Sequence, residues 1–362
     1  MRSFLLQILR LFLYPFALLY GAAVWVRNRL YDTGFFSSVS FSVPIISVGN
    51  LSVGGTGKTP HVEYLIRLFQ YQYRIATMSR GYKRRTQGFL IADEHTNALK
   101  IGDEPMQYYL KFPELIVSVA EERMTGIPSL LQRVPDIDIV LLDDAYQHRS
   151  VKPGINILIT DFSKPFYTDY ILPYGRLRES RKAYQRADVI IISKCPQTLS
   201  PDKANEIISK ISPLPHQSIF FSTINYDAPY DLFSGKPISL NDAHALIVCC
   251  IANPSPFVAH IQQEARQTHV LSYPDHHYFL SKDIEEIAET WKNWNVENKL
   301  IVTTEKDATR LHLQREAINK IGATVVVLPI KVELLLEGTA LFQQRMISYV
   351  EQAVSEYRMP FE

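Results

Sequence analysis

Short runs of apolar, mostly β-branched residues recur along this chain, and segments with helical periodicity separate most of them. In the first half these runs cover residues 43–48, 73–79, 115–120, 137–142, 156–160 and 189–193. The rhythm resumes in the second half at residues 219–226, 245–251, 269–273, 300–304 and 324–329. Apolar strands that alternate with helices predict a parallel, doubly wound α/β sheet, here followed by a second, smaller α/β unit.

The length and composition fit this organisation in two parts. With 362 residues, 46% of them hydrophobic and 21% charged, the chain is long enough for two globular domains. The formal net charge of +1 provides no global attraction to nucleic acid. Three cysteines without metal-ligand spacing indicate buried thiols in a reducing compartment. We expect an N-terminal helix at 1–30, a larger domain at 31–215, a smaller domain at 216–335 and a C-terminal helix at 336–362.

The clearest chemical motif follows the first apolar run and reads PIISVGNLSVGGTGKTP, from Pro44 to Pro60. A strand, a glycine-rich turn, Lys-Thr and a helix in this order are typical of a phosphate-binding loop. In such a loop Lys58 reaches the outer phosphates and the Thr59 hydroxyl ligates Mg²⁺. Because Ser52 replaces the usual first glycine, the alternative is a turn that binds no ligand. The predicted nucleotide-binding residues are Ser52, Val53, Gly54, Gly55, Thr56, Gly57, Lys58 and Thr59.

Two pairs of acidic residues are candidates for the chemistry. Asp143 and Asp144 end the apolar run at 137–142, a Walker B pattern in which a carboxylate holds Mg²⁺ directly or through water. Asp103 and Glu104 stand ahead of a proline at a predicted helix start. That pair is either an N-terminal cap or the source of a base that takes the proton from an attacking hydroxyl.

Two motifs of the second half leave their roles open. In Asp275-His276-His277 no third metal ligand is near, so a histidine that orients a catalytic group or caps the next helix is favoured over a metal site. The segment from Thr303 to Asp307 is similar to the base-reading loop of GTP-binding proteins but lacks the asparagine, so it does not indicate guanine. Basic stretches at 80–85 and 176–186 are either anion-binding loops or solvated loops.

The N-terminal segment carries no charged residue from Leu11 to Val26 and has arginines on both sides. It is shorter than the roughly 20 residues that span a bilayer. A signal peptide, a buried core helix and a helix in the membrane interface all fit the pattern. We favour the interfacial helix, with Tyr14, Tyr20 and Trp25 near the headgroups and the arginines on anionic lipid.

The motifs together resemble those of the tetraacyldisaccharide 4'-kinases, which phosphorylate the lipid A precursor of Gram-negative bacteria. The matching stretches are VGNLSVGGTGKTP, SRGY, GDEP, LLDDAYQHR, LPYGRLRES, IANPSPF, PDHH and TTEKDATRL, and they cover nearly the whole chain. This family has Ser or Thr at the position of Ser52, so the unusual residue of the glycine loop fits the resemblance.

The resemblance implies a membrane-associated kinase with a larger P-loop domain and a smaller domain that closes over the nucleotide. Asp103 would act as the catalytic base or assist it, and His276, with His277 second, would work with it. Asp143 and Asp144 would hold Mg²⁺. Residues expected near the substrate or the phosphates are Glu104, Arg123 and Arg178.

We therefore predict transfer of the ATP γ-phosphate to the 4'-hydroxyl of the tetraacyldisaccharide 1-phosphate, with ATP and Mg²⁺ as cofactors. The expected partners are the lipid disaccharide and the cytoplasmic face of the inner membrane, with no nucleic acid and no obligate protein partner. One alternative is a membrane-associated switch NTPase of the partitioning or metal-chaperone kind. Many of those proteins carry lysine where this chain has Val53, which disfavours that alternative. Another alternative is a cytosolic kinase of small metabolites.

Overall fold

The computed structural model describes the backbone of residues 2–358 and the side chains of residues 12–356. Its strands form one sheet of nine strands and one of five. The strands are β1 (Ile45–Gly49), β2 (Ile75–Ser79), β3 (Leu90–Ile91), β4 (Ile116–Val119), β5 (Ile139–Asp143), β6 (Ile155–Asp161), β7 (Val189–Ser193), β8 (Ser218–Tyr226), β9 (Tyr230–Asp231), β10 (His244–Cys249), β11 (Gln267–Ser272), β12 (Lys299–Thr304), β13 (Val325–Leu328) and β14 (Ile330–Leu334).

Helices connect most of these strands, as the alternating pattern predicts. The helices are α1 (Arg2–Asp32), α2 (Lys58–Phe69), α3 (Ala98–Ile101), α4 (Asp103–Lys111), α5 (Arg123–Arg133), α6 (Pro201–Ile211), α7 (Ser255–Glu264), α8 (Ser281–Asn293), α9 (Glu305–Leu311), α10 (Arg315–Ile321) and α11 (Gly338–Arg358). Short 3₁₀ turns lie at Phe166–Thr168, Arg181–Arg186 and His312–Gln314.

The large sheet has the order β14-β8-β7-β6-β1-β5-β2-β4-β3. Only the pairs at its two edges are antiparallel, so the interior of the sheet is parallel. The strand β1 lies between β5 and β6, where the chain order reverses. In open α/β sheets, ligands bind at the carboxyl ends of the strands beside such a reversal. The glycine loop leaves β1 at this point.

Both faces of the large sheet are buried, because successive side chains of a strand point to opposite faces. On one face Ile46 and Val48 of β1 pack with α2 and α11 in a core that includes Phe69 and Met346. On the other face, Ile45 packs with apolar residues of α5. Continuous burial of a strand such as β1 explains why the predicted strands read as unbroken apolar runs.

The small sheet has the order β11-β10-β12-β13-β9 and lies between β8 and β14 in the chain. The two passages between the sheets, residues 227–229 and residue 329, lie side by side, since the Asp227 amide donates to the Pro329 carbonyl at 2.9 Å. The strand at 219–226, which we assigned to the smaller domain, pairs instead with β7 in the large sheet. The strand β14, which the pattern did not predict, pairs with it.

The two sheets meet where α4 packs against α9. At the end of α4, Lys111 lies between two buried carboxylates, Glu63 of α2 at 2.6 Å and Glu305 of α9. Burial and the charge of Glu63 raise the pKa of Glu305 to about 7, against the opposing charge of Lys111. One lysine therefore joins the two units at the buried end of their contact.

The N-terminal helix α1 lies against the large sheet near residues 147–179. The Tyr20 hydroxyl donates to the Arg178 carbonyl at 2.9 Å, and the Asn28 amide donates to Glu179 at 2.8 Å. Its other face leaves large apolar side chains exposed, with Phe12 at 70% and Leu19 at 69%. No helix in the described part of the chain has the length and apolar character needed to cross a bilayer.

Candidate active site

The glycine loop has the conformation of an anion-binding turn. Gly54 and Gly57 have φ angles of 106° and 88°, a region that a side chain disfavours. Gly57 precedes α2 without any side-chain cap, so the first amides of that helix have no side-chain partner at its cap. Free amides and the helix dipole at this position attract phosphate oxygens. The segment from Ser52 to Thr59 therefore has a backbone conformation suited to an anion, and its role as a phosphate-binding loop stays a prediction.

Protein donors hold three consecutive carbonyls of the loop. Lys194 at the end of β7 donates to Gly55, and the neighbouring Ser193 hydroxyl donates to Thr56 at 2.6 Å. His61 lies 2.6 Å from the Gly57 carbonyl, and its other ring nitrogen lies 2.9 Å from the Ser222 hydroxyl. Burial lowers the pKa of His61 to about 4, so the ring is neutral and donates to Gly57 through Nδ1. These bonds fix the shape of the loop without a nucleotide.

The Walker B acids lie beside Lys58 and Thr59. Asp143 ends β5 in a fully buried position, where burial and the charges of Asp144 and Glu104 raise its pKa to about 6 despite Lys58. One of its oxygens, Oδ2, accepts from the Tyr108 hydroxyl at 3.0 Å, while Oδ1 is buried without a hydrogen-bond partner. A buried carboxylate oxygen without a partner is suited to a cation or to its bound water.

Asp144 binds the cations of the same region. Its oxygens lie 3.5 Å from Lys58 Nζ and 2.9 Å from Arg178 Nη1. Burial alone would raise the pKa of Asp144, but the charges of Lys58 and Arg178 outweigh it and lower the pKa. Arg178, expected near the substrate or the phosphates, thus lies at the Walker B end of the site.

Asp103 and His276, 173 positions apart in the chain, are hydrogen-bonded at 2.9 Å between Oδ2 and Nδ1. Asp103 begins α4 and is 1% exposed, whereas His276 lies in the loop after β11 with a φ angle of 62°. Burial would raise the pKa of Asp103, but hydrogen bonds from His276 and Arg310 outweigh it and hold the pKa at about 2. The carboxylate is therefore ionised at neutral pH.

The two histidines of the Asp-His-His motif have different environments. His277 donates to the Asp283 carboxylate at 2.8 Å through Nε2, and its ring stacks on Tyr273 at 5.2 Å. Asp283 also accepts from the Leu280 amide at the start of α8. In this arrangement His277 supports a helix start, and His276 is the histidine that contacts Asp103.

Lys306, at the start of α9, lies among the charged groups near Asp103. Its Nζ lies 3.1 Å from His276 Nε2, 3.3 Å from Asp275 and 3.5 Å from Glu104. An ammonium can only donate, so Nε2 accepts and the proton of the neutral ring lies on Nδ1, facing Asp103. Glu104 also acts electrostatically on Asp143, which connects this cluster to the Walker B end.

Arg123, which we expected near the substrate or the phosphates, is buried within electrostatic reach of Asp143 and Asp144. It is 1% exposed and donates through Nη1 to the carbonyls of Ala120 and Glu121 at 3.0 and 3.1 Å. Burial lowers its pKa to about 10, against the charges of Asp144 and Asp143. In this structure Arg123 stabilises the strand ends beneath the site.

No group of three or more His, Cys, Asp or Glu residues suited to a metal occurs among residues whose side chains are described. The set Thr59, Asp143 and Asp144 provides a hydroxyl and two carboxylates. Thr59 and Asp143 also converge on the Tyr108 hydroxyl. Such a set fits Mg²⁺, which keeps several waters and takes only one or two protein carboxylates beside phosphate oxygens.

Comparison with known proteins identifies the family. A family model described as tetraacyldisaccharide-1-P 4'-kinase matches residues 9–350. The chain belongs to this family. The tetraacyldisaccharide 4'-kinase of Bacteroides thetaiotaomicron is 44% identical over 353 residues, covering 94% of this chain and 93% of that protein. The Flavobacterium psychrophilum protein of the same name is 43% identical over 355 residues and covers 97% and 99%.

The fold of the 4'-kinase family agrees with the structure described above. A crystal structure of LpxK from Aquifex aeolicus in complex with ATP superposes with a TM-score of 0.74 at 27% identity. It covers 94% of this chain and 99% of that one. The resemblance drawn from the motifs and the predicted α/β fold are therefore confirmed.

Two residues of the site, Lys306 and Arg310, were not predicted from the 4'-kinase motifs. Both lie in TTEKDATRL, a stretch that contributed to the resemblance but received no chemical role. The only available signal was a pair of basic residues four positions apart on a helix, which places them on one face. That spacing does not reveal which carboxylate they meet.

Proposed function

We propose that this protein transfers the γ-phosphate of ATP to the 4'-hydroxyl of the tetraacyldisaccharide 1-phosphate that precedes lipid A. The observation that carries the proposal is the pair Asp103–His276 beside a complete phosphate-binding loop. A switch NTPase needs the phosphate-binding loop, but its reaction does not require a buried carboxylate base that contacts a second structural unit. The names of the relatives and the ATP bound to the Aquifex aeolicus protein support the same conclusion.

The residues divide between the donor and the acceptor of the phosphate. The loop amides from Ser52 to Thr59 and the Lys58 ammonium hold the nucleotide phosphates. Asp103, oriented by His276, accepts the proton of the attacking hydroxyl, which contributes roughly 10²–10⁴-fold to the rate. Thr59, Asp143 and Asp144 would hold Mg²⁺, which when bound neutralises charge on the phosphate oxygens.

Basic side chains near the site are suited to the phosphate that the substrate already carries. The loop at residues 80–85 lies next to the proposed base, because the Tyr82 ring contacts the His276 ring at 5.3 Å. Glu104 is half-buried beside Lys306, where it can accept from a sugar hydroxyl. In this proposal these side chains bind the acceptor sugar and its existing phosphate beside Asp103.

The exposed apolar face of α1 supports attachment to the membrane on its cytoplasmic side. Phe12, Phe16 and Leu19 are 70%, 62% and 69% exposed on the described part of the helix. Since the opposite face is bonded to Arg178 and Glu179, the helix brings lipid close to the nucleotide site. A peripheral helix in the interface would let a lipid-linked sugar reach the site without leaving the bilayer.

The function is tested by incubating the purified protein with Mg-ATP and the tetraacyldisaccharide 1-phosphate in mixed micelles. We expect a second phosphate on the disaccharide and stoichiometric ADP. Nucleotide hydrolysis without lipid phosphorylation, particularly if a protein partner stimulated it, would instead favour the switch NTPase.

The membrane contact is tested separately by cosedimentation with phosphatidylglycerol vesicles. Changing Phe16→Ser and Leu19→Ser together should weaken vesicle binding by at least about tenfold, since each buried side chain contributes roughly 1.5–3 kcal/mol. Tyr71→Ser, at a side chain that is 90% exposed on the large unit, is the matched control. Equal binding of the double variant and the control would contradict the interfacial helix.

A further inference from the structure

Two cations of α9 surround the Asp103–His276 pair. Arg310 lies 3.0 Å from Oδ1 of Asp103 through Nε and contacts Oδ2 through Nη2. Lys306 lies four positions earlier, with its Nζ 3.1 Å from Nε2 of His276. We propose that Arg310 is a positioning residue for the phosphoryl transfer: it holds Asp103 against His276 and keeps the pair in its proton-accepting form.

The guanidinium of Arg310 is itself held in one orientation. It is 1% exposed, and its Nη1 donates to the His277 carbonyl at 3.2 Å and to Asp307 at 3.3 Å. Asp307 in turn accepts from the Cys250 amide at 2.9 Å and the Thr304 hydroxyl at 2.8 Å. A planar fork with all three of its nitrogens engaged fixes both oxygens of a carboxylate, which a single point charge cannot do.

The charge around Asp103 requires such a cation. Burial of a carboxylate favours its protonated form, and a protonated Asp103 cannot accept a proton. The titratable and charged groups that face it among the described side chains are Glu104 on α4, Asp275, His276 and Tyr278 in the loop after β11, and Lys306, Asp307 and Arg310 on α9. Arg310 is the cation of this set that contacts the carboxylate itself.

The packing of α4 on α9 helps to position Arg310 through a second ion pair at the opposite end of the two helices. Asp103 begins α4 and meets the end of α9, whereas Lys111 ends α4 and meets the start of α9. The two helices therefore run antiparallel, with an ion pair at each end. The far pair fixes the register of the helices, and Arg310 reaches Asp103 only in that register.

The inference rests on the proposed function, so its experiment uses the full chain in the lipid phosphorylation assay together with ATP binding. The variants are Arg310→Gln, which removes the charge, and Arg310→Lys, which keeps the charge but loses the fork. Arg315→Gln is the matched control, because Arg315 is exposed on α10, where its guanidinium lies over the Phe233 ring. The rates are measured as kcat and kcat/KM across the pH range.

For Arg310→Gln we expect kcat to fall at least about 100-fold while the Kd for ATP stays within about threefold of wild type. A loss of kcat without a loss of ATP affinity is the readout of positioning, since a general loss of structure would weaken both. Arg310→Lys should restore part of the rate, with kcat about tenfold below wild type, and Arg315→Gln should match wild type throughout.

A kcat of Arg310→Gln within about threefold of wild type would overturn the proposal, as would equal losses of kcat and of ATP affinity. If the glutamine variant did not fold, the lysine variant would still decide, since a wild-type kcat in it excludes a role for the fork. A wild-type protein that failed to phosphorylate the lipid would contradict the proposed function instead, which keeps the two failures distinct.

Discussion

The nucleotide end and the proton-transfer end of this site are built differently. The glycine loop, Lys58 and the Walker B acids all belong to the large sheet, and protein donors fix the loop without help from the small unit. The proton-transfer end combines Asp103 of the large unit with His276 and Arg310 of the small one. If the proposed roles hold, binding of ATP depends on one unit, whereas proton transfer depends on the contact between two.

Among the variants, Asp103→Ala is expected to separate kcat from ATP affinity most strongly. The variant should lose roughly 10²–10⁴-fold in kcat, because the proposed base is removed, and should still bind ATP through the untouched loop. Steady-state kinetics and nucleotide titration measure the two effects. Asp136→Ala, at an exposed acid paired with Arg74, is the control. An unimpaired kcat in Asp103→Ala would exclude this residue as the base.

A smaller effect is expected from Lys111→Met, which should lower the free energy of unfolding and so affect both ends of the site. This change leaves Glu63 and Glu305 facing each other in a buried position, and loss of one partner of a buried ion pair costs about 3–5 kcal/mol of unfolding free energy. Denaturant unfolding measures the loss. Lys210→Met, which breaks an exposed pair with Glu206, should change the free energy by less than about 1 kcal/mol. Similar values for the two variants would show that the buried lysine does not join the units.

The smallest expected effect is a change in pH dependence in Glu305→Gln. The pKa of Glu305 is raised from 4.5 to about 7 in the folded protein by burial and by the charge of Glu63. The folded state therefore binds more protons than the unfolded state between these values, and stability falls as the pH rises through them. The glutamine variant lacks this loss, which we expect to be about 2–3 kcal/mol between pH 5 and pH 8.

The comparison between about pH 5 and about pH 8 is made by denaturant unfolding of wild type and Glu305→Gln. Asp143, whose pKa is also raised, contributes in the same direction to both proteins, so their difference isolates Glu305. Equal pH dependence of the two proteins would contradict the raised pKa.

The sequence predicted the nucleotide end more completely than the proton-transfer end, for a physical reason. A phosphate-binding loop is a local structure, so a few neighbouring residues such as Gly57, Lys58 and Thr59 are enough to predict it. The contact of Asp103 with His276 followed only from a family resemblance. The ion pair between Arg310 and Asp103 depends on the packing of two helices 200 residues apart, and no local pattern encodes it.

The division of the chain was less well predicted than its strands. The strand at 219–226 has the same apolar pattern as the strands of the small sheet. Such a pattern predicts that a strand is buried, but it does not predict to which sheet the strand belongs. The short strand β14 alternates buried and exposed positions and follows directly after β13 and a proline. It was therefore not predicted as a separate strand. Its pairing with β8 depends on the return of the chain to the large sheet, which the local sequence does not indicate.

The paired passages between the sheets make the small unit an insert. The chain leaves the large sheet after β8 and returns as β14, its immediate neighbour, so the two ends of the inserted segment are hydrogen-bonded to each other. A body attached at two adjacent points can swing about the line joining them but cannot slide along the sheet. These two adjacent attachment points therefore limit how far His276 and Arg310 can be displaced sideways from Asp103.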